Sequence, residues 1–205
     1  MPARLEIRLK KELFDAEGET VKKKSREYFN FNVDTIRVIR VLTFDTSLDQ
    51  SQLERVRKEI FTNPVTEISS FQPICENFDW LIWIGFRPGV RDTAGSTGAE
   101  AIEDLLGLKL GPDEGVYTSK IYEIRGRLER AQVEKIARDL LANEIIQQWR
   151  VIEKTEWDPA NGIGFPIPKV ILEHEPQVFE IPIGSDEELK RISLQRNLAL
   201  RDSDI

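Results

Sequence analysis

Cysteine and histidine are almost missing from this chain: Cys75 and His174 are each the only residue of their kind. A lone cysteine excludes an internal disulfide and fits a reducing compartment. A structural zinc site needs four ligands of these types, or carboxylates in their place, so no metal centre is expected. Long apolar runs are missing too. The longest, Trp80-Leu-Ile-Trp-Ile-Gly-Phe86, is far too short to span a bilayer. The amino end, Met-Pro-Ala-Arg-Leu-Glu-Ile-Arg, lacks the apolar core of a signal peptide. The expectation is therefore a soluble cytoplasmic protein with no membrane partner. A basic surplus is also absent: 29 Lys and Arg stand against 36 Asp and Glu, a net charge of −7. Residues 153–205 hold much of that excess, with 11 acidic and 6 basic side chains. Neither part has the positive charge that phosphate-backbone binding needs, which excludes nucleic acid as an expected partner.

What is present is a globular composition, 40% apolar and 32% charged over 205 residues. That length buries a core without covalent staples. Residues 1–152 also contain an internal repeat. At a shift of 77, Leu5-Glu-Ile-Arg-Leu9 falls on Ile82-Trp-Ile-Gly-Phe86, Asp15 on Asp92 and Gly18 on Gly95. Three residues are inserted near Gly111-Pro-Asp-Glu114, and the shift becomes 80. Ile36–Leu42 then falls on Val116–Tyr122, Asn63 on Asn143 and Val65 on Ile145. Apolar positions match apolar positions throughout, the mark of a duplication.

Each copy reads alike. Leu5, Ile7 and Leu9 alternate with charged residues, as strands do. A turn and a helix follow; in the second copy Thr97-Gly-Ala-Glu100 has capping-box spacing. A second strand spans Ile36–Phe44 or Val116–Ile124, either one bent strand or two joined by a bulge. The second helix carries Leu53, Val56 and Ile60, or Val133, Ile136 and Leu140, with Asp49 or Ser51 as a cap of the first version. A short strand closes each copy, Ile68–Phe71 or Gln148–Ile152. The predicted fold is α+β: two tandem βαββαβ repeats forming a pseudo-dimer, antiparallel sheets with helices on one face. The expected segments are repeat one over 1–74 and repeat two over 79–152. A Pro/Gly-rich extended connector follows over 153–184, and a helical segment over 185–205 opens with the capping box Ser185-Asp-Glu-Glu188. Glu6 and Arg8 predict a first strand wet on one face. Trp80 and Trp83 make its counterpart apolar on both faces, which predicts a more central second copy or a partner on its outer side. The tail reads as a segment that belongs against something else.

The candidate chemistry is thin. Pro88-Gly-Val-Arg-Asp-Thr-Ala-Gly-Ser-Thr-Gly98 has the strand–loop–helix layout of a phosphate cradle. It lacks the Gly-Lys-Ser/Thr ending, and its twin, Glu12-Leu-Phe-Asp-Ala-Glu-Gly-Glu-Thr20, carries three glutamates that would repel a phosphate. The shared Asp92 and Gly95 thus read as turn and helix-start residues. Cys75 and His174 lie in linker-like segments with no oxyanion motif, which argues against a nucleophile and base. Carboxylate pairs such as Glu103-Asp104 and Glu187-Glu188 read as solvated helix residues. Asn63 and Asn143 recur after the second helix, where Asn tolerates the left-handed C′ position. No catalytic, cofactor or metal residue is expected; Asp92, Gly95, Asn63, Asn143 and Trp149 are candidate motif or interface positions.

Phe86-Arg-Pro-Gly-Val-Arg-Asp-Thr-Ala-Gly95, Lys120-Ile-Tyr-Glu-Ile124 and Leu140-Leu-Ala-Asn-Glu-Ile-Ile146 together resemble the small PurS subunit of phosphoribosylformylglycinamidine (FGAM) synthase. Phe61-Thr-Asn-Pro-Val-Thr-Glu67 carries the likeness into the first copy. Two copies in tandem are similar to the N-terminal region of the large, single-chain PurL form of that enzyme. Glu173-His-Glu-Pro176 and Ile183–Leu189 resemble the stretch before its linker. The resemblance implies a role in making formylglycinamidine ribonucleotide from formylglycinamide ribonucleotide, glutamine and ATP, in purine biosynthesis. It further implies partners, a synthetase (PurL) and a glutaminase (PurQ-like), which bind the ATP, Mg and glutamine. This chain lacks the glutaminase Cys-His-Glu triad and an ATP site. What carries over is a scaffold that brackets the two partners for ammonia transfer, as a separate subunit or as the front of a longer chain. The alternative reading is a stand-alone ferredoxin-like module that binds a small ligand.

Overall fold

The computed structural model describes residues 2–170, 184–201 and 204. The chain divides into two compact units, 1–170 and 171–205. In the first unit the order is β1 (Ala3–Leu9), α1 (Ala16–Phe29), β2 (Thr35–Asp45), α2 (Gln50–Val56) and β3 (Glu67–Ser70). It then repeats as β4 (Trp80–Phe86), α3 (Thr93–Leu106), β5 (Gly115–Arg125), α4 (Arg130–Ile136) and β6 (Gln147–Glu153). Even the helix ends repeat: α2 runs into a π-helical turn at Arg57–Phe61 and α4 into one at Ala137–Leu141. The segment around Ile36–Phe44 is a single strand of 11 residues, as is its counterpart.

The two copies make one antiparallel sheet of six strands, in the order β3-β1-β2-β5-β4-β6. They join along β2 and β5, where Arg40 faces Lys120 and Val38 faces Tyr122. Lys120 is the repeat counterpart of Arg40, so a pseudo-two-fold axis passes through that pair.

All four helices of this unit cover one face, and the copies exchange them. Val21 of α1 lies in a core with β4, β5, β6 and α4, beside Ile82, Ile124, Val133, Ile136 and Val151. Ile102 of α3 lies in the other core, with Leu5 and Ile7 of β1, Phe44 of β2 and Val56 of α2. Each core therefore needs a helix from the opposite copy, and roughly 1.5–3 kcal/mol per fully buried aliphatic side chain holds the exchange in place.

Among the described residues of this unit, no α-helix covers the opposite face. Ile39, Val41, Leu81, Trp83 and Ile121 are roofed by two irregular segments, through Ile74, Cys75 and Phe78 before β4 and Trp157 and Ile163 after β6. Two expectations are corrected here. The face of β1 expected to be wet is buried, with Glu6 at 0%, Arg4 at 4% and Arg8 at 7% exposure. The second copy is also no more central than the first, since β1 and β4 hold equivalent places in the sheet. Alternation of charge and apolarity predicted solvent; these charges instead bind the overlying segments. Arg4 donates to the carbonyls of Asn161 and Gly164 at 2.6 and 2.7 Å, and Arg150 to that of Ile163 at 2.7 Å. The stretch after β6 thus lies against its own sheet over Trp157–Phe165, where the sequence suggested that the tail belongs against something else.

In the second unit, α5 (Asp186–Arg196) begins at Ser185, whose hydroxyl accepts from the Glu188 N–H, and ends at Asn197 in the left-handed conformation, φ 54°. The expected motif Glu173–Pro176, with His174, lies outside the described residues, as does most of the 153–184 connector beyond Val170.

Candidate functional site

Asp92 and Gly95 lie at the root of α3. The Asp92 carboxylate accepts from the Gly95 N–H at 2.8 Å and from the N–H of Thr118 on β5 at 2.5 Å. Asp15 does the same for α1, with Gly18 at 2.9 Å and Val38 on β2 at 2.8 Å. One carboxylate thus caps the helix and ties its start to the central strand. The glycine lets the helix approach: a Cβ at Gly95 would lie 2.2 Å from the Val116 carbonyl oxygen, and one at Gly18 equally close to that of Ile36. Thr97 is inside α3 rather than at its start, because Asp92 caps the helix a turn earlier.

Asn63 and Asn143 do not take the left-handed conformation, which corrects their expected capping role. Each forms an Asx turn instead. The Asn63 side chain accepts from the Val65 N–H at 2.9 Å, and that of Asn143 from the Ile145 N–H at 3.1 Å. These turns leave Val65 and Ile145 exposed at opposite ends of the sheet. Trp149 packs against the α4 side of the core and donates from its indole to Glu134 at 2.9 Å. The five positions are therefore not brought together into one site.

Cys75 belongs to the inter-repeat segment and lies beside a buried ionic network. Glu6 accepts from the Ile74 N–H at 2.8 Å and pairs with Arg4 at 3.0 Å; Glu123 accepts from the Glu76 N–H at 2.9 Å and pairs with Arg8 at 3.4 Å. Burial, then the nearby Glu123 and Glu6 charges, push the Cys75 thiol far up. Such a thiol stays protonated and makes a poor nucleophile. Burial also raises Glu6 and Glu123 above the ordinary carboxylate value, against the N–H groups and arginines that favour their ionised forms. Among the described residues, no cluster of three or more His, Cys, Asp or Glu could hold a metal ion. No helix there is long and apolar enough to cross a membrane.

A cleft of about 410 Å³ lies on the helix face beside the pseudo-two-fold axis. Arg40, Leu42, Thr118, Lys120 and Tyr122 form its floor, with Ile84, Phe86, Phe61, Leu141, Ala94 and Gln147 around them. Arg40 donates to Glu67 at 2.7 Å. Lys120 donates to both oxygens of Glu17, at 2.7 and 2.9 Å, and the Tyr122 hydroxyl donates to Glu17 at 2.7 Å. Burial works against the Glu17 carboxylate, but the hydrogen bonds from Lys120 and Tyr122 and the Lys120 charge outweigh it and hold its pKa below the ordinary value. Burial, then donation to Glu17, raises Tyr122. Arg40, Lys120 and Glu17 were not singled out from sequence. The facing of Arg40 and Lys120 follows from the β2–β5 register, and the repeat alone could have suggested it, since two copies related by a two-fold axis pair their equivalent central strands.

A family profile described as "PurS: Phosphoribosylformylglycinamidine (FGAM) synthase" matches residues 2–73 and 80–154, one match per copy. No curated protein matched the chain. The profile spans most of the sequence, and the chain belongs to the PurS family, which ties it to FGAM synthase and purine biosynthesis.

Proposed function

We propose that this PurS-family chain is the non-catalytic scaffold of a phosphoribosylformylglycinamidine synthase, aligning a PurQ-like glutaminase with a PurL synthetase in the cytoplasm. In this reading the partners bind ATP, Mg and glutamine. The observation that carries it is the family match in both copies of one continuous sheet. Duplication within one chain lets two equivalent edges diverge toward two different partners, which a symmetric homodimer cannot do. The edges here have diverged: Pro64, Val65, Glu67 and Ser69 at one end stand where Glu144, Ile145, Gln147 and Trp149 stand at the other.

The mechanism is positional. Ammonia released into neutral water is mostly protonated and no longer nucleophilic, so a scaffold that closes the route between two active sites raises transfer without touching the reacting atoms. The test combines this chain with synthetase and glutaminase pieces and follows FGAM formation with glutamine or with added ammonium as nitrogen source. The expected result is faster glutamine-dependent turnover with no change in the ammonium-dependent rate. Glutamine-dependent turnover that is the same with and without the chain overturns the proposal.

A further inference from the structure

We propose that the open half of the axial cleft is a binding site for a small monocarboxylate with an apolar body. The argument comes from comparing the two sides of the axis. On one side, the Glu17 carboxylate rests on Lys120 and Tyr122. Rotation about the axis exchanges Lys120 with Arg40, Tyr122 with Leu42 and Glu17 with Ala94. The second side therefore keeps its cation, Arg40, but has a methyl group where the carboxylate should be, and the space is the cleft.

A second acid is lost in the same way. Glu67, which holds Arg40, has Gln147 as its counterpart; its side-chain oxygen accepts from the Asn143 N–H at 2.9 Å. The cleft lining accordingly contains Arg40, Lys120 and the Gln147 amide, and no carboxylate. Arg40 spends only Nη2 on Glu67, leaving Nε and Nη1 without a partner among the described residues. A guanidinium presents a planar fork suited to a carboxylate.

The rest of the cleft fixes the class of ligand. Phe61, Leu141, Ile84, Phe86 and Leu42 offer apolar contact, and the volume falls in the range of about 300–1,000 Å³ typical of small-molecule sites. Lys120 is already matched by Glu17, and Arg40 is shared with Glu67. These two cations and two carboxylates sum to no net charge, so the open Nε and Nη1 donors of Arg40 suit a single negative charge better than a phosphate dianion. Glu17 is the chain's own version of the head group, and the cleft is where its missing twin would bind.

The experiment titrates the isotope-labelled full chain with 3-phenylpropionate and, separately, with the neutral 3-phenylpropionamide, following backbone amide shifts. The expected result is saturable carboxylate binding with shifts around Arg40, Ala94 and Gln147, and amide binding weaker by about tenfold. Ala94→Glu restores the missing carboxylate from within the chain at an exposed position, and Arg40→Met removes the cation. Each variant, with its amide spectrum otherwise retained, should weaken carboxylate binding by about tenfold or more. Equal affinity for acid and amide, undiminished binding by both variants, or no binding up to about 10 mM overturns the proposal. The measurement concerns the chain alone, so its outcome is independent of the role in the synthase.

Discussion

A methyl group at position 18 or 95 would meet a strand carbonyl at 2.2 Å, because Asp15 and Asp92 draw the first turn of each helix onto the central strand. Glycine to alanine inside a helix normally stabilises by about 0.5–1 kcal/mol. Here the sign should reverse. Gly18→Ala and Gly95→Ala are each expected to lower stability by about 2 kcal/mol in urea unfolding, as overpacking does. A stabilised variant would show that the contact relaxes without cost. The buried carboxylates Glu6 and Glu123 make a second residue-level prediction. Both have folded pKa values raised from 4.5, chiefly by burial. Such a group contributes stability that is complete below its unfolded value and is lost as pH rises through the folded one. The stability of the native chain minus that of Glu123→Gln should therefore shrink as pH is raised from about 4.5 toward neutrality. Melting curves in which that difference widens with pH would contradict the assignment.

Among the elements, the strands and helices were legible because the repeat doubled each weak signal: Leu53 and Val133, or Asp15 and Asp92, say the same thing twice. The roof of irregular segments over the face opposite the four helices was not legible. Trp157–Phe165 reads as a Pro- and Gly-containing connector, and its docking depends on Arg4 being buried rather than solvated, with Arg150 beside it, while Glu6 and Arg8 hold the inter-repeat segment. Alternating charge in a strand cannot distinguish water from the backbone carbonyls of a distant segment. The axial cleft was hidden for a related reason, since strand register is set by tertiary pairing and not by local pattern. Ile163 is the apolar anchor of the roof, buried at 5% exposure against the cluster containing Leu81, Trp83 and Ile121. Ile163→Ala should cost about 2–3 kcal/mol in chemical denaturation, the magnitude of a buried truncation and not of a loop change. A loss within about 0.5 kcal/mol, the scale of surface substitutions, would show that the segment does not contribute as a roof.

For the whole molecule, the exchange of α1 and α3 means that neither copy contains its own core: Val21 is buried with the second copy's strands and Ile102 with the first's. Cutting the chain at the inter-repeat segment therefore tests more than a linker. Residues 1–79 alone can complete a core only by pairing β2 with β2 of another molecule. In that homodimer Arg40 faces Arg40, but Glu17 of each molecule can reach the other's Arg40, as it reaches Lys120 in the intact chain. Residues 79–170 alone would place Lys120 opposite Lys120 with Ala94 and Gln147 beside them, two cations with no acid from α3 or β6 to offset them. The first piece should sediment as a dimer and the second should associate more weakly. An equimolar mixture should favour the mixed pair, which restores the Glu17–Lys120 contact and the Arg8–Glu123 pair across the copies. A folded monomer of either piece in sedimentation equilibrium would refute the shared-core account. Preferential self-association in the mixture would refute the charge pattern that makes the two halves of this chain partners.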